Sequence, residues 1–493
     1  MKPSISLFTP IFLIVVVTAV MGLFFVACGP EHGDHSSDSA QYETVFWSQD
    51  IVSSDYYLTT AKLMGSSRHA RFYLETDAKP SVQITSNLIG EIGRKFDAIY
   101  ERATSVFGSE PKPGVDGDYK IIILLLDIRD GFNPDTSKSY VAGFFASRDL
   151  FTREQLDEMN DDSKTNEHEM IYLDINPGKP GTDTFLRTLA HEFTHMISFN
   201  QKTMASGLRV YEQTWLDESM AMLAEEITGL PPYYPRVLYY LNEPDFGFYQ
   251  WKMDIRSYAV AYMWAKYLFD RFYEPTGGKI LSDIVRTPAD GHVRAGIGAV
   301  EYGLQQNGID MTFDDLFRDW NLAVLLGSLG ESIDPYTYSD LDLLGTYDKY
   351  QFSGVTMTDN PDATGALNPW CHRFAKFDSI RKIAFDAVGS AKAVLYDGAQ
   401  VVSDVESGKF YDIDSTAYFC IRNSSAESLE EAGIFETQSS KENESNEIST
   451  PPTEHFDDLM DRLIELSGGP VSIDVGPMMR KIPGPASFSR LEN

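Results

Sequence analysis

The segment Leu189-Ala190-His191-Glu192-Phe193-Thr194-His195-Met196 gives the clearest indication of local structure in this sequence. Apolar residues recur there every three or four positions, at Phe185, Leu189, Phe193 and Met196. This spacing predicts an amphipathic helix over about residues 184–200, with Asp183 as its N-cap. Residues four positions apart lie on one face of a helix, one turn apart. The imidazoles of His191 and His195 can therefore reach the same cation.

The residue types in this segment indicate a metal site. Zinc favours imidazole nitrogen, and a catalytic zinc needs three protein ligands and a position for water. Glu192 follows the first histidine and is rotated from it by about 100° around the helix axis, which places its carboxylate beside the water. The HExxH spacing is typical of metalloproteases. We expect one Zn²⁺ at His191 and His195, with Glu192 as the general base; the alternative is two surface histidines on an amphipathic helix.

The best candidate for a third ligand is Glu218, in a second predicted helix over about residues 217–228. Twenty-two residues separate it from His195, which is enough for a loop and an antiparallel return. The alternative role for Glu218 is that of a salt-bridged helix carboxylate. The rival acids are Asp217, Glu225 and Glu226. One of these three is a candidate to orient a ligand histidine without binding the metal itself.

Four segments in a fixed order resemble the hyicolysin family of bacterial neutral metallopeptidases, which are gluzincins. They are Tyr140–Phe145, Glu169–Asp174, His191–Ile197 and Trp215–Glu218. The resemblance covers about residues 55–330 and is strongest over 139–226. It implies a zincin-like catalytic unit and a zinc ligand at Glu218. Gluzincins usually carry Trp-Leu-Asn-Glu-Gly at this point, and here Asp217 and Ser219 replace Asn and Gly.

The same resemblance implies a role for a tyrosine. The segment Ser257–Tyr262 corresponds to a tyrosine-bearing helix of gluzincins. Tyr258 is then the candidate that donates a hydrogen bond to the developing oxyanion, and Tyr262 is its rival. Because Val260 and Tyr267 lie at helical spacing with these tyrosines, the alternative is an aromatic side chain that only packs.

The N-terminus has the features of an export signal. Lys2 is followed by an uncharged, mostly apolar run from Ile5 to Ala27, and Cys28 comes directly after it. Cysteine at this point resembles the lipidation site of bacterial lipoproteins. The alternatives are an uncleaved signal anchor, since 23 uncharged residues can span a bilayer, and a secreted protein. Each of these interpretations places the body of the chain outside the cytoplasm.

Two further cysteines, Cys371 and Cys420, lie in predicted strands of one C-terminal domain. An exported chain permits a disulfide between them. The alternative is two buried free thiols.

The charge balance limits the partners. The 493 residues include 73 acidic and 41 basic side chains, a net charge of −32. Binding to nucleic acid depends mainly on contacts between cations and phosphates, so this composition excludes nucleic acid as a partner. The expected partners are a protein or peptide substrate and, through the lipid anchor, a membrane.

The predicted fold class is α+β. A mixed twisted sheet with the metal-binding helix is followed by a helical subdomain and a small C-terminal β domain. We expect the substrate to lie along a strand over residues 169–175. The predicted parts are a signal and lipidation site (1–28), a tether (29–42), a sheet-rich part (43–180), a helical zinc-binding part (181–345), the β domain (346–423) and an acidic, largely disordered tail with a short helix (424–493).

These features together predict a zinc-dependent endopeptidase at the cell surface or in the envelope. One alternative is a surface lipoprotein or adhesin that uses an inactive peptidase as a scaffold. Another is an aminopeptidase. The sequence has no Gly-x-Met-Glu-Asn segment, which captures the free amine in gluzincin aminopeptidases, so an endopeptidase is favoured.

Overall fold

The computed structural model describes residues 43–439, with internal gaps, and residues 471–473. The gaps are residues 138, 208–209, 248–250, 253, 288–291, 293, 346–353, 360–364 and 414–415. The predicted signal, Cys28, the tether and the short helix of the tail lie outside the described residues. Across the described part of the chain, no helix is both long and apolar enough to cross a bilayer.

The first layer is a six-stranded mixed sheet. The strands of this part of the chain are β1 (Glu43–Gln49), β2 (Tyr56–Ser66), β3 (Ala70–Glu75), β4 (Ile121–Leu126), β5 (Ser139–Val141), β6 (Gly143–Phe145) and β7 (Met170–Asp174). The strand order in the sheet is β1-β2-β3-β4-β7-β6. β1, β2 and β3 are antiparallel, β3, β4 and β7 are parallel, and β6 runs antiparallel to β7.

The edge strands of this sheet are β1 and β6, and β7 is an inner strand. β7 pairs with β4 on one side and with β6 on the other. The prediction that residues 169–175 form the substrate-binding edge is therefore wrong. β6 precedes β7 in the chain, and β7 then enters the sheet between β4 and β6. Both strands are wholly buried, so their composition does not reveal which is the edge.

Helices cover one face of the sheet around a shared apolar core. These helices are α1 (Ser86–Phe107) and α3 (Asp183–Ser198). The short helix α2 (Arg153–Glu158) lies between them in the chain. Phe193 of α3 stacks on Tyr100 of α1, with ring centroids 5.1 Å apart. Thr182, and not Asp183, caps α3, because its hydroxyl accepts a hydrogen bond from the Phe185 N–H. Asp183 lies in the first turn, where the helix dipole favours a negative charge.

A helical part follows. Its helices are α4 (Thr214–Ile227), α5 (Tyr234–Asn242), α6 (Ile255–Thr276), α7 (Lys279–Val285), α8 (Ile297–Gln306) and α9 (Phe313–Ser328). A π-helical turn, Phe199–Met204, links α3 to the loop before α4. α6 includes Pro275 in its last turn and continues to Thr276. Gly277 in the left-handed conformation then ends it.

The C-terminal β domain has two sheets with an apolar core between them. Its strands are β8 (Thr358–Asp359), β9 (Cys371–Asp378), β10 (Ile380–Ala387), β11 (Ala391–Tyr396), β12 (Val401–Val402), β13 (Tyr411–Asp412), β14 (Thr416–Asn423) and β15 (Gly433–Ser439). One sheet has the order β12-β11-β14-β9-β8 and the other β13-β10-β15.

The β domain extends beyond residue 423, where the tail was predicted to begin. β15 pairs antiparallel with β10, and Phe435 packs against Phe377 and Phe385 with centroid distances of 4.7 and 5.3 Å. A single aromatic anchor within a polar segment is a weak signal in the sequence. Beyond this domain, β16 (Val471–Ile473) pairs in parallel with β5.

The disulfide that the sequence permits is not formed. Cys371 and Cys420 are free and buried. They lie on the neighbouring strands β9 and β14, but Cys420 is opposite Phe374, three residues from Cys371. A separation of three residues corresponds to about 10 Å along a strand and places the two side chains on opposite faces of the sheet. A disulfide needs Cα atoms about 4.4–6.8 Å apart.

The helical part and the β domain share one continuous core. Trp370 meets Phe313 of α9 edge-on, with ring centroids 4.9 Å apart. His372 of β9 is fully buried, and its Nε2 lies 2.8 Å from the Tyr240 hydroxyl of α5. The arrangement of a sheet with helices followed by a separate set of β-sheets confirms the predicted α+β class.

The buried His372 predicts an acid-sensitive stability. Burial lowers its pKa to about 3, against 6.5 for an ordinary histidine. Between these values the unfolded chain binds the additional proton, so the free energy of unfolding falls as the pH drops from about 6.5 towards 3. We expect His372→Gln to reduce this slope, by up to about 1.4 kcal/mol per pH unit, in urea unfolding followed by tryptophan fluorescence. The half-exposed His168, changed to Gln, is the control. An unchanged slope in His372→Gln would contradict the prediction.

Candidate metal centre

Three potential ligand atoms from two helices converge inside the protein. The Nε2 atoms of His191 and His195 are 3.1 Å apart, and the Oε2 atom of Glu218 lies 3.1 Å from the former and 3.5 Å from the latter. All three side chains are buried. Among the residues that the structure describes, these three side chains form a group that can hold a metal ion. The structure therefore brings together the three residues that the sequence singled out.

The size of this triangle fits a tetrahedral ion. Zinc binds nitrogen and oxygen ligands at about 2.0–2.1 Å, and tetrahedral geometry then places neighbouring ligand atoms about 3.3 Å apart. The three observed distances lie between 3.1 and 3.5 Å. Two imidazole nitrogens and one carboxylate oxygen are also ligand types that zinc prefers. The residues present therefore fit the expected ion.

The backbone fixes these positions. His191 and His195 lie one turn apart on α3, and the return of the chain as α4 brings Glu218 to them. The Ser219 hydroxyl donates to the carbonyl of Trp215 at 2.7 Å and contacts the Ala261 carbonyl of α6 at 3.3 Å. The hydroxyl of this serine, which replaces the usual glycine, thus has one partner within α4 and one on α6.

Each histidine contacts a further carboxylate on its outer side. His195 Nδ1 lies 3.0 Å from Asp217 Oδ2, and His191 Nδ1 lies 3.3 Å from Glu225 Oε1. Such a carboxylate holds the proton on Nδ1 and directs the Nε2 lone pair towards the metal. Two of the three rival acids therefore orient histidines, where the sequence suggested one. The third, Glu226, contacts Lys266 and Tyr262 instead.

Two arginines of the site were missed in the sequence. Arg187 Nη1 lies 3.3 Å from Glu225 Oε2, and Arg236 Nη1 donates to both oxygens of Glu225 at 2.8 and 2.9 Å. Arg187 precedes His191 by four residues on α3, so the helical spacing could have indicated it. Arg236 lies on α5, and no local pattern links it to the metal ligands.

The charges around the triangle favour a cation. Burial raises the pKa of a carboxyl group, yet the two histidines hold the pKa of Glu218 at about 2. Burial has the same effect on Glu225, but Arg236, His191 and Arg187 lower its pKa to about 2. Burial also lowers the pKa of an imidazole, whereas Asp217 and Glu218 raise the pKa of His195 well above its ordinary value. Glu218 and Glu225 therefore stay ionised in the centre.

The catalytic candidates lie on α3, which carries both histidines, and on α6, which packs against α4. Glu192 is fully buried on α3, between the two histidines in sequence. Tyr258 is buried on α6, and its ring meets Trp251 edge-on at 5.0 Å. The rival Tyr262 donates its hydroxyl proton to Glu226 and accepts from the Tyr233 N–H at 3.3 Å. Because the Tyr262 hydroxyl donates its proton to Glu226, Tyr258 stays the predicted oxyanion donor.

Asp217 provides a test of how the histidines are oriented. Asp217→Asn removes the charge that holds the Nδ1 proton of His195, so we expect the affinity for a divalent metal ion to fall by about 10–100-fold, measured by competition with a chelator. Glu226→Gln is the matched control, an acid-to-amide change on the same helix without contact to either histidine. Equal affinity in the two variants would contradict this role of Asp217.

A comparison with characterised proteins agrees with this chemistry. The chain is 30% identical over 246 residues to the neutral metalloprotease ShpI of Staphylococcus hyicus, an alignment of 47% of this chain and 52% of that protein. The chain thus spans about half the length of this relative. No family model matches the sequence. The identity and the buried group of two histidines and a glutamate together support a relationship to the metalloproteases.

Proposed function

We propose that this protein is a zinc-dependent endopeptidase of the gluzincin type, related to the hyicolysin family. The observation that carries the proposal is the triangle of His191, His195 and Glu218, whose dimensions fit zinc. The outer contacts of both histidines and the similarity to a neutral metalloprotease support it.

Each side chain of the centre has a separate role in the proposed hydrolysis. Zinc, when bound to the three ligands, polarises the scissile carbonyl and lowers the pKa of a water molecule. Glu192 accepts the proton of the attacking water and passes it to the departing amine, a role worth about 10²–10⁴-fold in rate. Tyr258 donates a hydrogen bond to the oxygen on which negative charge develops. Asp217 and Glu225 hold the histidines in the tautomer that binds metal.

The substrate is proposed to bind as an added strand along β6. The Asp174 N–H donates to the Ala142 carbonyl at 2.9 Å. Because hydrogen-bonded pairs alternate in an antiparallel ladder, the backbone groups of Gly143 and Phe145 point away from β7. The pairing of β16 with β5 supports this proposal, since it places an extended segment beside the residues that precede β6.

Gly143 brings this edge close to the metal-binding helix. A Cβ atom at position 143 would lie 2.7 Å from Thr188 Cγ2 of α3 and 2.8 Å from the Tyr172 carbonyl oxygen. Both distances are too short for any larger residue. The missing side chain therefore lets β6 and α3 approach each other, and this closeness supports a substrate strand beside the helix that carries the histidines.

Export and anchoring are also part of the proposal. Lys2, the apolar run from Ile5 to Ala27 and Cys28 support a lipoprotein whose catalytic part faces away from the cytoplasm. The large net negative charge agrees with a protein substrate rather than a nucleic acid.

The test compares peptide hydrolysis and zinc content in the same samples. We expect cleavage of casein and of an N-blocked peptide to stop with a zinc chelator and to return with zinc, whereas Glu192→Gln keeps bound zinc and loses about 10²–10⁴-fold in kcat. Glu110→Gln, at a buried acid bonded to Tyr100, serves as the control and retains activity. Full activity in Glu192→Gln, or bound zinc without any hydrolysis by the wild type, would refute the proposal.

A further inference from the structure

Glu225 connects the candidate metal ligand His191 to two arginines, Arg187 and Arg236. Its carboxylate is buried and accepts from His191, Arg187 and Arg236. The contact with Arg236 is the closest of the three, because one Nη1 atom lies within 2.9 Å of both oxygens. An ionised carboxylate in the interior needs such charged donors to stay in place. Arg236, together with Arg187, therefore fixes the position from which Glu225 contacts His191.

Arg236 lies on α5, a helix that reaches from the metal centre to the β domain. Tyr240 follows it by four residues, one turn further along the same helix. The Tyr240 hydroxyl lies 2.8 Å from His372 Nε2 of β9. Both partners are fully buried, and the ring of Trp320 packs against His372 with centroids 5.1 Å apart. The hydrogen bond is therefore shielded from water.

Further contacts hold the C-terminal end of α5 and the segment after it against the β domain. The Leu241 carbonyl accepts from the Thr356 N–H at 2.7 Å, and Asp245 pairs with Arg373 of β9 at 2.8 Å. A Cβ atom at Gly247 would lie 2.4 Å from the Pro369 carbonyl oxygen, so the backbone passes close to the segment before β9. The end of α5 and the segment after it thus lie against the β domain.

Because α5 is short, its position depends on these contacts. It has nine residues, and isolated helices shorter than about 12–15 residues are marginal in water. Its position must therefore come from its neighbours. Those neighbours are α6, against which it packs, and the β domain at its C-terminal end.

We infer that α5 couples the β domain to the metal centre, with Tyr240 as a positioning residue. Through its hydrogen bond to His372, Tyr240 holds Arg236 against Glu225, and Glu225 in turn orients His191. This inference rests on the proposed function of the site as a zinc centre. It gives the β domain a role in the geometry of catalysis.

The first test compares Tyr240→Phe with Tyr267→Phe in the full chain. Each change removes one buried hydroxyl, but the partners of the Tyr267 hydroxyl are Pro335 and Arg271, neither of which belongs to the proposed series of contacts from His372 to Glu225. We expect Tyr240→Phe to weaken zinc binding by about three- to tenfold, less than the about 10–100-fold that follows loss of a direct partner of a ligand histidine. Tyr267→Phe should bind zinc as the wild type does. Chelator competition gives the affinity, and thermal unfolding shows that each variant is folded.

A double variant separates coupling from general loss of stability. Arg236→Lys keeps the charge and removes the contact of one guanidinium with both oxygens. If Tyr240 acts through Arg236, Arg236→Lys with Tyr240→Phe binds zinc about as weakly as Arg236→Lys alone. Arg236→Lys with Tyr267→Phe should likewise match Arg236→Lys. Losses that multiply in the first pair, or equal affinity of Tyr240→Phe and the wild type, would overturn the inference.

The outcomes also separate this inference from the proposed function. A wild type that binds zinc and hydrolyses peptides, with no effect of Tyr240→Phe, overturns the coupling alone. A wild type that binds zinc and shows the expected pattern without any hydrolysis leaves the coupling in place and overturns the peptidase proposal. A wild type that binds no zinc overturns both.

Discussion

The structure depends on the attraction between buried carboxylates and the cationic or polar groups that face them. Glu218, Asp217 and Glu225 are all buried against two imidazoles. Removing an ionised carboxylate from water is costly unless a partner compensates for it. Arg187 and Arg236 compensate Glu225, and the proposed zinc ion has the charge that Glu218 and the two histidine nitrogens attract.

Packing fixes the frame on which these charges lie. α3 packs on the sheet and on α1, while α4 contacts α3 on one side and α6 on the other. A protein interior of this density resists displacement of its helices, so ligand atoms that start on separate helices keep distances of 3.1 to 3.5 Å. The β domain shares the same core, and α5 extends from that shared core to the arginine beside Glu225.

The sequence predicted the parts of this molecule that depend on local periodicity. The apolar positions around His191 predicted α3, and the second helix, expected over about residues 217–228, corresponds to α4. Features that depend on long-range topology were not predictable in this way. The placement of β7 inside the sheet, the opposite faces of Cys371 and Cys420, and the approach of Arg236 to Glu225 each arise from segments that meet only after folding.

The most direct measurement is the anomalous scattering of zinc in crystals of the metal-loaded protein, recorded on both sides of the zinc absorption edge. We expect one zinc peak within bonding distance, about 2.0–2.1 Å, of Nε2 of His191, Nε2 of His195 and a carboxylate oxygen of Glu218. A zinc peak at other residues, or a Glu218 side chain turned away from both histidines in the metal-loaded protein, would contradict this expectation.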